Sequence, residues 1–524
     1  MMGRSKKISK HKLIIAAAGS GKTRELIKRI KDKIKLLPPS KHLIVITYTN
    51  AATNEIKERL EEEISIPENV FIGTIHSFLI KYVIKPYGKI LRLVPDEITI
   101  TDYDIKIDSQ TGNQYYQRKN QIINALSRKG IITYDGVVTL AKKILKNDVV
   151  RARFCKRIAY LFVDEFQDSD LGQFQIFEIL RKGNCTEIVL VGDPEQNIMN
   201  FRKKITNHPI VSLQGKKTYH VECIQNNYRS SETIVEFINH FHSDIKQLYK
   251  NKEITSKNPI VFIESTELNQ IVRNFNDLCT NKEYCENKPK KRFFLAYENK
   301  EFDEYRINNS GNRESKQAFK VIDLIMQYLG ALYNVKKSKL INHFNMETIE
   351  FRKRCLNLFF KIRSDPNMKI EHIITYLNSL FPHKISPLEE NTNIQFKIDK
   401  IVEDFIKDIQ SIDFKKNIDN IIDDDYEDHF LTIHKSKGLQ ADAVLAVAST
   451  EKELLKWLEI DKNKRLSDKT DDCRLGYVAF SRAKEFLCIA CRKSISDSTR
   501  QHLNNLGVVF YSDKTAAKKD LTYV

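Results

Sequence analysis

The octapeptide AAAGSGKT, Ala16 to Thr23, restricts the possible folds more than any other stretch of the chain. The apolar run Leu13 to Ala16 leads into it and the helical pattern RELIKRIKDKIK leads out of it. A glycine-rich turn between a strand and a helix N-terminus aims backbone N–H groups at one point, a geometry that suits phosphate oxygens. Gly19 and Gly21 let the backbone approach closely, Lys22 reaches toward β- and γ-phosphates, and the Thr23 hydroxyl is placed to meet Mg²⁺. Ala16, Ala17, Ala18 and Ser20 complete the expected cradle.

Phosphate chemistry also needs a metal-holding acid and a group that polarises water. Both are expected in AYLFVDEFQD, where a buried strand ends in Asp164 and Glu165. Asp164 is read as the Mg²⁺ ligand, direct or through water, and Glu165 as the general base. Two acids after a strand also suit an ordinary helix N-cap, but the phosphate loop favours the chemical role. A third strand, EIVLVGD, runs into DPEQN and places Gln196 to orient water or sense a γ-phosphate.

Short β-branched runs recur at Leu43 to Thr47, Ala159 to Val163, Ile188 to Val191, Pro259 to Ile263, Phe293 to Tyr297, Phe430 to Ile433, Ala443 to Ala448 and Phe486 to Ala490. Helical patterns separate them, which predicts an α/β fold with parallel sheets. The strands cluster into two lobes, and mainly helical stretches at 80–155 and 301–425 read as insertions. Only 17 glycines and 12 prolines in 524 residues agree with a chain rich in helix.

Lys and Arg number 86 against 68 Asp and Glu, a net charge of +18 with a pI near 9.2. Such a field attracts polyanions, nucleic acid first, although lysine also serves solubility alone. Nine scattered cysteines show no zinc spacing, and Cys488 and Cys491 lie in an apolar run as core residues. With no apolar run long enough to span a bilayer, the expectation is a soluble, cytoplasmic protein with no membrane partner.

The three blocks above are joined in order by VITYTNAATNEIKERL (45–60), GTIHSFL (73–79), NNYRSS (226–231), LTIHKSKGLQADAV (431–444) and GYVAFSRAKEFL (476–487). This series resembles the UvrD/Rep-type helicases of superfamily 1. The resemblance implies two RecA-like lobes of a P-loop NTPase, the first from 1–79 and 156–225, the second from 226–300 and 426–524. It implies ATP with Mg²⁺ between them, Arg229 and Arg482 as arginine fingers, and Gln440 at the ribose. Single-stranded DNA is then expected across both lobes, on Tyr48 and Phe201 as stacking aromatics and on Asn50, Thr74, His76, Arg202, His434 and Lys437 as polar DNA-facing or coupling positions.

The departures matter as well. None of the fifteen residues before Ala16 is Gln, so the family's adenine-reading Gln motif is absent there and base choice is undefined. Met199 and Phe201 stand where Tyr and Trp are usual, Lys203 and Lys204 replace Gly and Ala, and Gln440 replaces a Glu. Compact insertions make the chain similar to the helicase-like subunit of the Gabija antiviral system, which works beside a nuclease. The expected activity is ATP-driven translocation on DNA, 3′ to 5′. The alternative is an NTPase that senses DNA ends or nucleotide and regulates a partner nuclease with little unwinding.

Overall fold

The computed structural model describes residues 9–101, 113–198, 208–302 apart from Ser243, most of 313–411, and 427–511 apart from Lys469. The expected DNA contacts Phe201 and Arg202, with Met199, Lys203 and Lys204, lie outside the described residues.

Two six-stranded sheets organise the chain. The first holds β1 (Lys12–Ala16), β2 (His42–Thr47), β3 (Val70–Thr74), β4 (Ile158–Val163), β5 (Glu187–Gly192) and β6 (His220–Ile224), in the order β3-β2-β4-β5-β1-β6 with every pairing parallel. Alternate residues of the central strands enter opposite layers. Leu13 and Ile15 join one core with Ile44 and Ile46, while Ile14 and Ala16 join the other with Leu43 and Val45. A strand covered on both faces reads as a continuous apolar run for this reason.

The second sheet holds β7 (Ile260–Ile263), β8 (Lys291–Ala296), β9 (Glu427–Thr432), β10 (Ala441–Ala448), β11 (Ala483–Cys491) and β12 (Val508–Tyr511), in the order β9-β8-β10-β11-β7-β12. The β8–β10, β10–β11, β11–β7 and β7–β12 pairings are parallel. Helix Glu232–Asn239 packs Ile234, Phe237 and Ile238 into this lobe's core, together with Phe241. Ala18 of the phosphate loop and Ile198 belong to the same cluster, so the two lobes meet through apolar contact as well.

The segment between β3 and β4 carries helices Asn113–Arg128, Tyr134–Ile144 and Asp148–Arg157 and a small parallel ladder, Thr99–Thr101 with Ile131–Thr133. Its Val137, Leu140, Ile144 and Phe154 share one core with Leu13 and Ile15, so it packs as part of the first lobe. Residues 302–427 form a separate compact unit. Helices Arg313–Leu332, Thr348–Ser364, Ile370–Leu380 and Thr392–Ser411 enclose its own core, including Ile325, Phe351, Phe359, Leu377 and Phe405. Among the described residues no helix is long and apolar enough to cross a membrane.

Candidate active site

The predicted site residues of the first lobe follow the carboxyl ends of its strands, where parallel sheets leave a crevice. After β1 the chain turns through Gly19 and Gly21, both at positive φ (77° and 75°), and enters helix α1 (Lys22–Ile34). Gly19 is required twice over: its φ suits no β-carbon, and a β-carbon there would lie 2.7 Å from Asn227 Oδ1 and 2.9 Å from Arg229 Cβ. Ser20 Oγ is buried with no hydrogen-bond partner among the described residues, as suits a cradle built for an outside acceptor.

Lys22 Nζ lies 3.3 Å from each carboxylate oxygen of Glu165. Burial by itself lowers the Lys22 ammonium, but Glu165, Asp193 and Asp164 outweigh it and hold the group above its usual value. Asp164 is buried, Glu165 beside it is half-buried, and the two repel each other. Asp164 is pushed up to about 7 by burial and by Glu165. Glu165, despite its own partial desolvation, is held down to about 2 by Lys22, then by Lys437 and a hydrogen bond from Gln167. Glu165 sits at φ 48°, the left-handed region that a residue with a long side chain seldom adopts, and such strain is concentrated at functional sites.

Asp164 and the Thr23 hydroxyl supply hard oxygen donors suited to Mg²⁺, and a buried carboxylate that resists ionising in the absence of a cation fits the same role. The chain's own residues therefore fit a Mg²⁺–triphosphate. Among the described residues no cluster of three or more His, Cys, Asp or Glu suggests another metal centre.

Asn227 and Tyr228, just ahead of Arg229, grip the phosphate loop. Asn227 Nδ2 donates to the Ala18 carbonyl at 3.2 Å, and the Tyr228 amide donates to the Gly19 carbonyl at 2.9 Å. The Tyr228 ring is half exposed beside Gly21. Arg229 donates from Nη1 to the Ser481 carbonyl at 3.0 Å, next in sequence to Arg482. Arg482 is 1% exposed and donates to the Val478 carbonyl (2.9 Å), the Leu439 carbonyl (3.3 Å) and Ser481 Oγ (2.9 Å). Among the described residues neither guanidinium forms an ion pair. Burial, then the nearby Arg229 charge, pushes Arg482 down to about 9, and burial lowers Arg229. Both feel the charge of Glu165. A buried and a half-buried cation side by side without a counter-ion are costly unless an anion joins them.

Gln196 is buried and donates from Nε2 to Asp193 at 2.7 Å. Lys437 reaches across from the second lobe, its Nζ 2.6 Å and 2.7 Å from the Asp168 oxygens and 2.9 Å from the Gln196 carbonyl. Its charge is thus engaged inside the protein. Gln440 is exposed just ahead of β10.

Tyr48, Asn50, Thr74 and His76 line one cavity of about 550 Å³ that also reaches Asp164 and Glu165. Tyr48 is exposed; the His76 ring meets Tyr134 edge-on at 5.4 Å. Thr74 accepts from the Ser77 amide and so caps helix Ile75–Leu79. On the second lobe His434 meets the exposed Tyr297 edge-on at 5.9 Å. Gln167, Asn227, Tyr228, Tyr134 and Tyr297 were not legible as site residues. For Gln167, Asn227 and Tyr228 the signal was their place inside quoted motifs.

Two parallel-sheet lobes with a phosphate loop, adjacent strand-end carboxylates and opposing arginines define a two-lobed RecA-like P-loop NTPase. Residues 4–202 match the family described as AAA domain. The chain is 24% identical over 611 aligned positions to the ATP-dependent DNA helicase Rep of Buchnera aphidicola from Acyrthosiphon pisum, covering 91% of each chain. It is 26% identical to Rep of Escherichia coli K12 over 43% of this chain and 40% of that protein. It is 27% identical to the Gabija protein GajB of Bacillus cereus VD045 over 46% of this chain and 48% of that protein. The matched stretch thus spans less than half the length of the latter two. Across these matches the chain is similar to ATP-dependent DNA helicases of the Rep type.

Proposed function

We propose that the chain hydrolyses ATP between its two lobes and uses the cycle to move along DNA, 3′ to 5′, as a translocase or helicase. The observation that carries this reading is the pair of guanidiniums beside the phosphate loop, Arg482 buried and Arg229 half-buried, neither ion-paired among the described residues. Their positive charge is matched by charge that develops on phosphoryl oxygens.

Lys22 exchanges Glu165 for phosphate oxygens, and the backbone from Gly19 to Lys22 donates to them. Glu165, released from Lys22, becomes free to orient and deprotonate the attacking water. Thr23 and Asp164 would hold Mg²⁺, which neutralises phosphate charge. The exposed face of Tyr228 is suited to a base, and Gln440 to ribose. Tyr48, Asn50, Thr74, His76 and His434 are the described residues assigned to DNA contact, and the +18 charge favours the polyanion.

Likeness to GajB favours a second reading, in which turnover reports DNA ends or nucleotide to a partner nuclease with little unwinding. All nine thiols are unpaired, which suits a cytoplasmic location. Purified protein should show ATPase activity stimulated by single-stranded DNA and abolished by Lys22→Ala; activity indifferent to both overturns the motor. Glu165→Gln should bind ATP and turn it over about 10²- to 10⁴-fold more slowly. Efficient unwinding of a tailed duplex by the isolated chain would decide against the sensor.

A further inference from the structure

Asp193 follows β5 and is fully buried. Four donors converge on its carboxylate: the Glu195 amide at 3.0 Å, Gln196 Nε2 at 2.7 Å, His242 Nε2 at 3.1 Å and the Tyr477 hydroxyl at 3.3 Å. The first two belong to its own turn. The other two arrive from the second lobe, His242 after helix Glu232–Asn239 and Tyr477 from helix Asp472–Phe480.

The His242 ring is oriented by its other nitrogen. Nδ1 accepts from the Ile245 amide at 3.2 Å, which assigns the ring proton to Nε2, facing Asp193. Tyr477 donates its proton to Asp193 and accepts from the Ala18 amide at 3.1 Å. The Ala18 carbonyl in turn accepts from Gln247 at 2.8 Å and Asn227 at 3.2 Å. One polar chain therefore runs from His242 through Asp193 and Tyr477 to the phosphate loop, and the Gln196 amide hangs from the same carboxylate.

A buried carboxylate with all its donors in place has a single orientation, and loss of one donor frees both the carboxylate and everything tied to it. We propose that Tyr477 and His242 are positioning residues for triphosphate hydrolysis. Neither reaches the reacting atoms. They hold Asp193, and through it Gln196 and the Ala18–Gly19 backbone, in register with the phosphates while the second lobe is docked. The proposal rests on the ATP-hydrolysis reading of the pocket and adds to it two residues outside the phosphate loop and strand-end acids.

The test is steady-state ATPase kinetics with Mg²⁺ and single-stranded DNA, alongside direct binding of a fluorescent ATP analogue, for wild type, Lys22→Ala, Tyr477→Phe, His242→Leu and His242→Gln. Tyr477→Phe and His242→Leu should lower kcat by about 10- to 100-fold, the scale of a small misplacement, with KM and analogue affinity within about threefold of wild type. His242→Gln, whose amide can donate as Nε2 does, should recover most of the loss. Tyr477→Phe removes one oxygen and keeps the ring, so it reads the proposal even where His242→Leu fails to fold. Tyr477→Phe with unchanged kcat, or with kcat and analogue affinity falling together, overturns the proposal. A wild type with no Lys22-dependent turnover overturns the hydrolysis reading itself and the proposal with it.

Discussion

Arg465 presents two nitrogens to the carboxylate of Glu195, Nη2 at 2.8 Å and Nε at 3.2 Å, with both side chains almost wholly buried. Its third nitrogen donates to the carbonyls of Glu459 (3.2 Å) and Ile460 (2.8 Å). Glu195 lies in the turn after β5 and Arg465 in helix Lys462–Ser467 of the second lobe. With Lys437 on the Gln196 carbonyl and Arg474 donating to the Asn197 carbonyl at 2.7 Å, this turn is clasped from the far lobe at several points.

Removing one member of that pair leaves the other charged and buried. Arg465→Met should destabilise the chain by about 3–5 kcal/mol, and adding Glu195→Leu should return part of that loss. Urea unfolding followed through Trp457, the single tryptophan and buried in the second lobe, measures it. Equal stabilities for wild type and Arg465→Met would show the pair to be immaterial.

The Lys437–Asp168 contact predicts a separation of DNA response from nucleotide binding. Lys437→Met should leave ATP affinity within about twofold and reduce the stimulation of turnover by DNA about tenfold, a coupling of the size usual between linked sites. Asp168→Asn should act in the same direction. Full stimulation in both variants would place the coupling elsewhere.

Gly19→Ala tests how closely the lobes meet at the loop. The new β-carbon would crowd Asn227 and Arg229 and sit at φ 77°, a position where strain of about 1–3 kcal/mol is usual. The expected result is ATP binding weakened about 5- to 100-fold, read by equilibrium titration, with the helical signal in circular dichroism unchanged. Wild-type affinity would mean that the loop relaxes freely.

Asp164 makes metal-free stability depend on pH. Its carboxyl holds a proton up to about 7, whereas the same group in the unfolded chain releases it near 3.8. Between those values the folded state binds more protons, so stability falls as pH rises toward 7 and then levels. Glu165 acts in the opposite sense at lower pH: its contribution is complete above about 4.5 and is lost as pH falls toward 2. In chelator between pH 5 and 7.5, Asp164→Asn should therefore lose less stability than wild type as pH rises. Parallel curves from thermal melts would remove Asp164 as the source.

Much of the first sheet was legible because its central strands are buried on both faces and read as unbroken apolar runs. β3, β6 and β12 escaped the strand reading because they are edge strands with partly exposed residues, so VFIGT, HVECI and VVFY carry weaker signals. The loop residues Gly19 to Thr23 and the acids Asp164 and Glu165 were legible as contiguous motifs. His242, Gln247 and Arg465 were not: each acts on a partner dozens to hundreds of residues away, and nothing beside it in sequence marks that pairing.

The order of residues by itself determined the turn that follows β1, the acids that close β4 and the arginines available to oppose them, because consecutive residues set local backbone direction and burial. Only the folded chain decided that Tyr477 meets Ala18, that Lys437 is held by Asp168 and that Arg229 and Arg482 lie close together. Those relations arise where two separately formed sheets pack against each other, and side-chain geometry across such a boundary depends on the whole packed surface.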